Sequence, residues 1–66
     1  MEASEIVSKL RASTFVFTEA QKIRAELKKL DDEDLETIVR KLRIEKTKPE
    51  NLQVKRAIEE ILFALV

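Results

Sequence analysis

A chain of 66 residues without a single glycine has few folds open to it. Glycine takes positive φ in tight β-turns and lets backbone approach a ligand closely. Hairpin-rich sheets and glycine-rich phosphate loops are therefore disfavoured. In their place stand Glu, Lys, Leu, Ile and Ala, a helix-forming composition interrupted by one proline. The expected fold is all-α, a small bundle of three to four short helices forming a single domain over residues 1–66.

Cysteine and histidine are also absent. Disulfides, zinc fingers and Cys- or His-based nucleophile–base pairs are excluded. A domain this small hides only about 60% of its unfolded surface and usually needs a staple. Very good helix packing, or association with another chain, must take that role. Thirteen Lys and Arg balance thirteen Asp and Glu, and the pI is 6.3. Dedicated nucleic-acid-binding domains usually have pI above about 9. No apolar run reaches the roughly 20 residues of a membrane span. Met1-Glu2-Ala3-Ser4-Glu5 is acidic and unlike a signal peptide. A soluble, intracellular (cytoplasmic) protein with no membrane contact is expected. Lys/Glu richness with one Asn, two Gln and no Cys leans towards a thermophile.

Hydrophobic spacing divides the chain. Helical periodicity begins near Ala3 and runs to about Ser13, with Ile6, Leu10 and Phe17 on one face and Val7 at its edge. Ser13-Thr14-Phe15-Val16-Phe17-Thr18 is β-branched and aromatic, poor helix and better as an extended link or kink; one continuous helix is the alternative. A second helix is expected from Thr18, where Thr18 and Gln21 fit a capping box. It buries Ala20, Ile23, Leu27 and Leu30 and carries a Lys22–Glu26 pair. Asp31 or Asp32 caps a third helix, with Leu35, Ile38, Val39 and Leu42 as its buried stripe. Thr47, Pro49 and Glu50 form a second capping box, opening a final helix from about Lys48 to the end.

On that final helix, Val54, Ile58, Ile61, Leu62 and Leu65 fall within about 80° of arc, a core stripe. The chain's last six residues are all apolar, and this stripe explains most of them. Leu52, Phe63 and Val66 fall on a second face with Glu59, about 80–140° round from Ile58. Eleven residues separate Leu52 from Phe63, three helical turns, so they should align. Ile44 points about 180° away from Leu35 on the third helix. Phe15 and Val16 cannot both face inward with Phe17 if that stretch is helical. Phe15, Phe17, Ile44, Leu52, Phe63 and Val66 are thus candidate partner-binding residues, left over once the core is assigned. The bland alternative is that the first helix covers them.

Asp31, Asp32, Glu33, Asp34 and Glu36 form an acidic knot. An EF-hand needs alternating acids and a glycine, so helix capping explains the knot better than a metal. Arg40, Lys41, Arg43, Lys46, Lys48, Lys55 and Arg56, offset by Glu45 and Glu50, give residues 40–56 a local charge of +5. Such a face can hold phosphates, although no aromatic is interleaved for base stacking. A helix-turn-helix reading would present Asp32-Glu33-Asp34 to DNA phosphates, which would repel it. No nucleophile has a His or Cys beside it. No enzyme activity, cofactor or metal is expected.

These features point to a helical accessory or adaptor subunit that docks on a larger protein through an apolar face of its last helix. A homodimer, and a small nucleic-acid-associated regulator using the 40–56 face, are the alternatives. In size, Lys/Glu richness and lack of Gly and Cys, the chain resembles small helical accessory subunits of archaeal B-family DNA polymerase complexes. The resemblance is one of overall character and rests on no signature residue. It implies a polymerase partner and a basic face near DNA.

Overall fold

The computed structural model describes residues 2–65, without the side chain of Ala64. The expected all-α fold is what it shows. Helix α1 spans Ala3–Ala12, α2 Val16–Leu27, α3 Asp32–Glu45 and α4 Lys55–Leu65, with a 3-10 helix, Pro49–Val54, leading into α4. No strand occurs among the described residues, and none of them has positive φ. Among the described residues no helix is long and apolar enough to cross a membrane.

Without glycine the helix ends must be closed by other means. Four carbonyls at each helix C-terminus lack an intrahelical donor. At the end of α2, the backbone N–H groups of Lys29 and Leu30 bond back to Glu26 and Leu27, both at 3.1 Å, tightening the last turn. At the end of α3 two side chains contribute. Thr47 Oγ1 donates to the Ile44 carbonyl at 2.7 Å, and Asn51 Nδ2 donates to the Glu45 carbonyl at 2.8 Å. The start of α3 is capped as expected: Asp31 Oδ1 accepts from the Asp34 N–H at 2.9 Å. Asp31→Ala should therefore cost about 0.5–2 kcal/mol, read as a lower thermal midpoint, whereas Asp32→Ala should change it little.

Several expected boundaries are corrected. The link after α1 is shorter than expected, and α2 begins at Val16, not Thr18. Val16 packs against the core and lies one turn before buried Ala20, so burial pulls the helix start forward. The Thr18 capping box does not form; Phe15 holds the cap position, with no side-chain bond. Phe17 consequently belongs to α2 and not to the Ile6–Leu10 face of α1. The second capping box also fails, because the Thr47 hydroxyl turns back to α3. Pro49 opens a 3-10 segment there, not an α-helix. The Lys22–Glu26 pair is not formed. Ion pairs among the described residues are Arg40–Glu36 and Lys48–Glu45, each 3.2 Å, and Arg24–Glu60 at 4.0 Å.

The core draws on every element. Ile6, Val7 and Leu10 come from α1, Ala20, Ile23 and Leu27 from α2, and Ile38 and Leu42 from α3. Val54, Ala57, Ile58, Ile61 and Leu62 complete it, with Leu35, Val39 and Leu65 packed at its margin. The most extensive contact is between α2 and α4, and the next is between α1 and α3. The radius of gyration is 10.6 Å, against about 11 Å for a compact chain of this length. The exposed area of 4685 Å² is close to the roughly 4,300 Å² expected for a folded monomer of this mass. The core thus closes without a second chain.

One polar side chain lies inside. Asn51 is buried in the 3-10 segment. Its amide donates to both the carbonyl and the Oε2 of Glu45, at 2.8 and 2.9 Å, and its Oδ1 accepts from Arg11 Nη1 at 3.1 Å. Lys48 Nζ holds the other oxygen of the same carboxylate. Asn51 thereby ties α1, the end of α3 and the 3-10 segment at one point, with no buried side-chain nitrogen or oxygen left unpaired among the described residues.

A candidate docking surface

Five large apolar side chains stay outside this closed core: Phe15 at 73% exposure, Phe17 at 54%, Ile44 at 58%, Leu52 at 72% and Phe63 at 84%. All five are among the residues expected to be left over; the sixth, Val66, lies outside the described residues. Of the Phe15–Phe17 triplet, Val16 is the member that turns inward.

The packing of α2 on α4 brings three of the five together. Phe17 at the start of α2 and Phe63 near the end of α4 line one open hollow of about 500 Å³, with Arg56, Glu59 and Glu60 as its other walls. Phe63 also borders a second hollow of about 510 Å³, with Arg43, Lys46, Glu59 and Leu62. Phe15 and Phe17 line a third, built from residues 14–18 alone. Phe15, Phe17 and Phe63 thus form an aromatic track across one side of the molecule, and Phe63 is the ridge between its two larger hollows.

Ile44 and Leu52 lie apart from this track. Ile44 lines a smaller hollow against the start of α1, beside Glu2, Ala3, Ser4, Lys41 and Glu45. Leu52 does not stack above Phe63 as a continuous α-helix would require. A 3-10 helix turns about 20° further per residue than an α-helix. Three such steps rotate Leu52 about 60° off the Phe63 line.

The basic residues of 40–56 are distributed over different surroundings. Arg40 is engaged with Glu36 and Lys48 with Glu45. Lys41 faces the α1 side. Arg43 and Lys46 border one flank of Phe63, and Arg56 the other. Lys55 is exposed. Five of the seven therefore neighbour a carboxylate or the aromatic track.

The acids of 31–34 are all exposed in the first turn of α3 and its cap. No group of three or more acidic side chains converges on a metal-sized site among the described residues. The charge around the aromatic track is mixed in sign. Arg56 stands one turn before Glu59 and Glu60, and neither Arg56 nor Glu59 makes an ion pair among the described residues. Apolar anchors inside a ring of mixed charge are the usual anatomy of a protein–protein contact. No protein-family model, curated protein or solved structure matches the chain.

Proposed function

We propose that the chain is a non-enzymatic accessory subunit that works by docking on another protein through the Phe15–Phe17–Phe63 track. The observation that carries this reading is Phe63: a large aromatic left almost fully in water on a helix whose opposite side completes the core. A monomer normally scatters its exposed apolar residues singly. Here two aromatics from different helices share one hollow. Arg43, Lys46, Arg56, Glu59 and Glu60 supply the polar rim that gives such a contact its specificity. A component of a DNA-replication complex is the partner class we favour, on the resemblance in size and composition alone.

Phe63→Glu tests the reading. The side chain is outside the core, so helicity and thermal midpoint should stay within the small change typical of surface substitutions, about 0.5 kcal/mol. The wild-type chain, used to capture partners from native cells, should retain a discrete protein that the Phe63→Glu chain does not. Equal retention by both would refute docking through this track. Unfolding of the variant would instead make Phe63 a core residue.

A further inference from the structure

The exposed stripe of α4 is complementary to itself. Arg56, Glu59 and Phe63 follow one another at steps of three and four residues, so they lie along one line of the helix. All three are exposed. Set two α4 helices antiparallel about a two-fold axis at the level of Ala57 and Ile58. Arg56 of each copy then stands opposite Glu59 of the other, and two ion pairs close at once. Phe63 comes level with Leu52 of the second copy.

The 3-10 winding makes that last contact specific. It swings Leu52 off the stripe, to the side of Glu59 that faces away from Glu60. A two-fold axis perpendicular to both helices keeps that offset on the same side, so like edges of the two helices meet. Leu52 of the second copy therefore arrives on the side of Phe63 away from Glu60, where the hollow lined by Arg43, Lys46, Glu59 and Leu62 opens. An exposed leucine on one copy meets an open apolar hollow on the other, and symmetry repeats the contact.

Building on the docking reading above, we propose that the occupant of this face is a second copy of the chain, packed α4 against α4 in an antiparallel, two-fold dimer. Charge and area both support it. The formal net charge is zero, so two copies meet without long-range repulsion. A standard interface needs about 800 Å² from each side. Phe63 and Leu52 supply about a third of that from their exposed parts, with a whole aromatic side chain contributing about 150–250 Å². The stems of Arg43, Lys46, Arg56 and Glu59 supply much of the rest. Area alone does not set affinity; with so few anchors on each side, a dissociation constant on the order of micromolar is expected. A larger protein using the same track has to displace the second copy.

The test is charge exchange, followed by sedimentation of the full chain over a dilution series. The wild type should pass from dimer to monomer across micromolar concentrations. Arg56→Glu sets two glutamates against two, and Glu59→Arg sets two arginines against two. Each alone should weaken the dimer about tenfold or more. Mixed one to one, these two variants restore both ion pairs, and a heterodimer of wild-type strength should form. Both sites are exposed, so helicity should be unchanged in each. A wild type that stays monomeric throughout, or a dimer that neither reversal weakens, overturns the proposal. The docking reading stands or falls separately, on the capture of a partner by Phe63. Single reversals that weaken the dimer without rescue on mixing also overturn the antiparallel arrangement.

Discussion

Ile58→Ala is expected to lower the thermal midpoint by about 10–30 °C, or to leave the chain unfolded at room temperature. Ile58 is fully buried at the centre of α4's inward stripe, between Val54 and Leu62. Truncating a buried isoleucine to alanine removes its transfer free energy and leaves a cavity, together about 2–5 kcal/mol. A core of this size supplies only about 3–5 kcal/mol in total. The loss is therefore comparable with everything the fold has, and a domain of 60–100 residues shifts about 4–8 °C per kcal/mol. Leu52→Ala, a truncation on the exposed side of the preceding segment, is the control and, at concentrations where the chain is monomeric, should move the midpoint hardly at all. Thermal unfolding followed by circular dichroism distinguishes the two. A near-zero change for Ile58→Ala would remove the inward stripe from the account of stability.

Asn51→Asp should cost nearly as much, though it changes one atom. The amide nitrogen makes two donations to Glu45, one to the carbonyl and one to the carboxylate. A carboxylate in the same place can make neither. It would sit buried against an acceptor and a like charge, a situation worth about 3–5 kcal/mol when a buried pairing is broken this way. Asn51→Leu is similar in volume, removes the polar group without adding a charge, and should cost less, about 1–3 kcal/mol, chiefly for the Glu45 carbonyl left unpaired. The ordering is the prediction: Asp worse than Leu, Leu worse than wild type, by chemical denaturation. If both variants matched the wild type, Asn51 would not be holding α1, α3 and the 3-10 segment together.

What sequence reasoning reached, and what it missed, follows from the range of each interaction. The inward stripes of α1, α3 and α4 were legible because helical spacing reports them directly: Ile6–Leu10, Ile38–Leu42, Val54–Ile58–Ile61. The Asp31 cap was legible for the same reason, since donor and acceptor are three residues apart. Thr18 and Thr47 fitted the capping pattern equally well, but the choice was made elsewhere. Val16 gains more by burial than Thr18 gains by capping. The Thr47 hydroxyl donates back to the Ile44 carbonyl instead of accepting from an N–H ahead of it. Asn51 had no such local signal, because Arg11, one of its partners, is forty residues away. Asn51, Val54 and Ala57 recur every third residue and all are buried, but that spacing fits an α-helical face as well as a 3-10 one.

The docking surface was legible only as a remainder. Helical wheels identified which large apolar residues the core could not take, and the exposed ones are those residues. They could not say that Phe17 and Phe63 meet while Ile44 stands apart, because that depends on how α2 lies across α4. The 3-10 turn likewise broke the alignment of Leu52 with Phe63, which three turns of unbroken α-helix had implied.

Every described residue keeps negative φ, and that has a consequence for the denatured chain. No turn in this fold asks for a glycine, so none had to be provided. An average sequence of this length would carry about five. Each glycine replaced by a residue with a Cβ narrows the conformations open to the unfolded backbone and favours folding by about 0.4–1 kcal/mol. Across the chain that amounts to about 2–5 kcal/mol, the same size as a disulfide's usual contribution. The cross-link that so small a domain would otherwise need is thus dispersed along its backbone, as stiffness in the state it leaves behind.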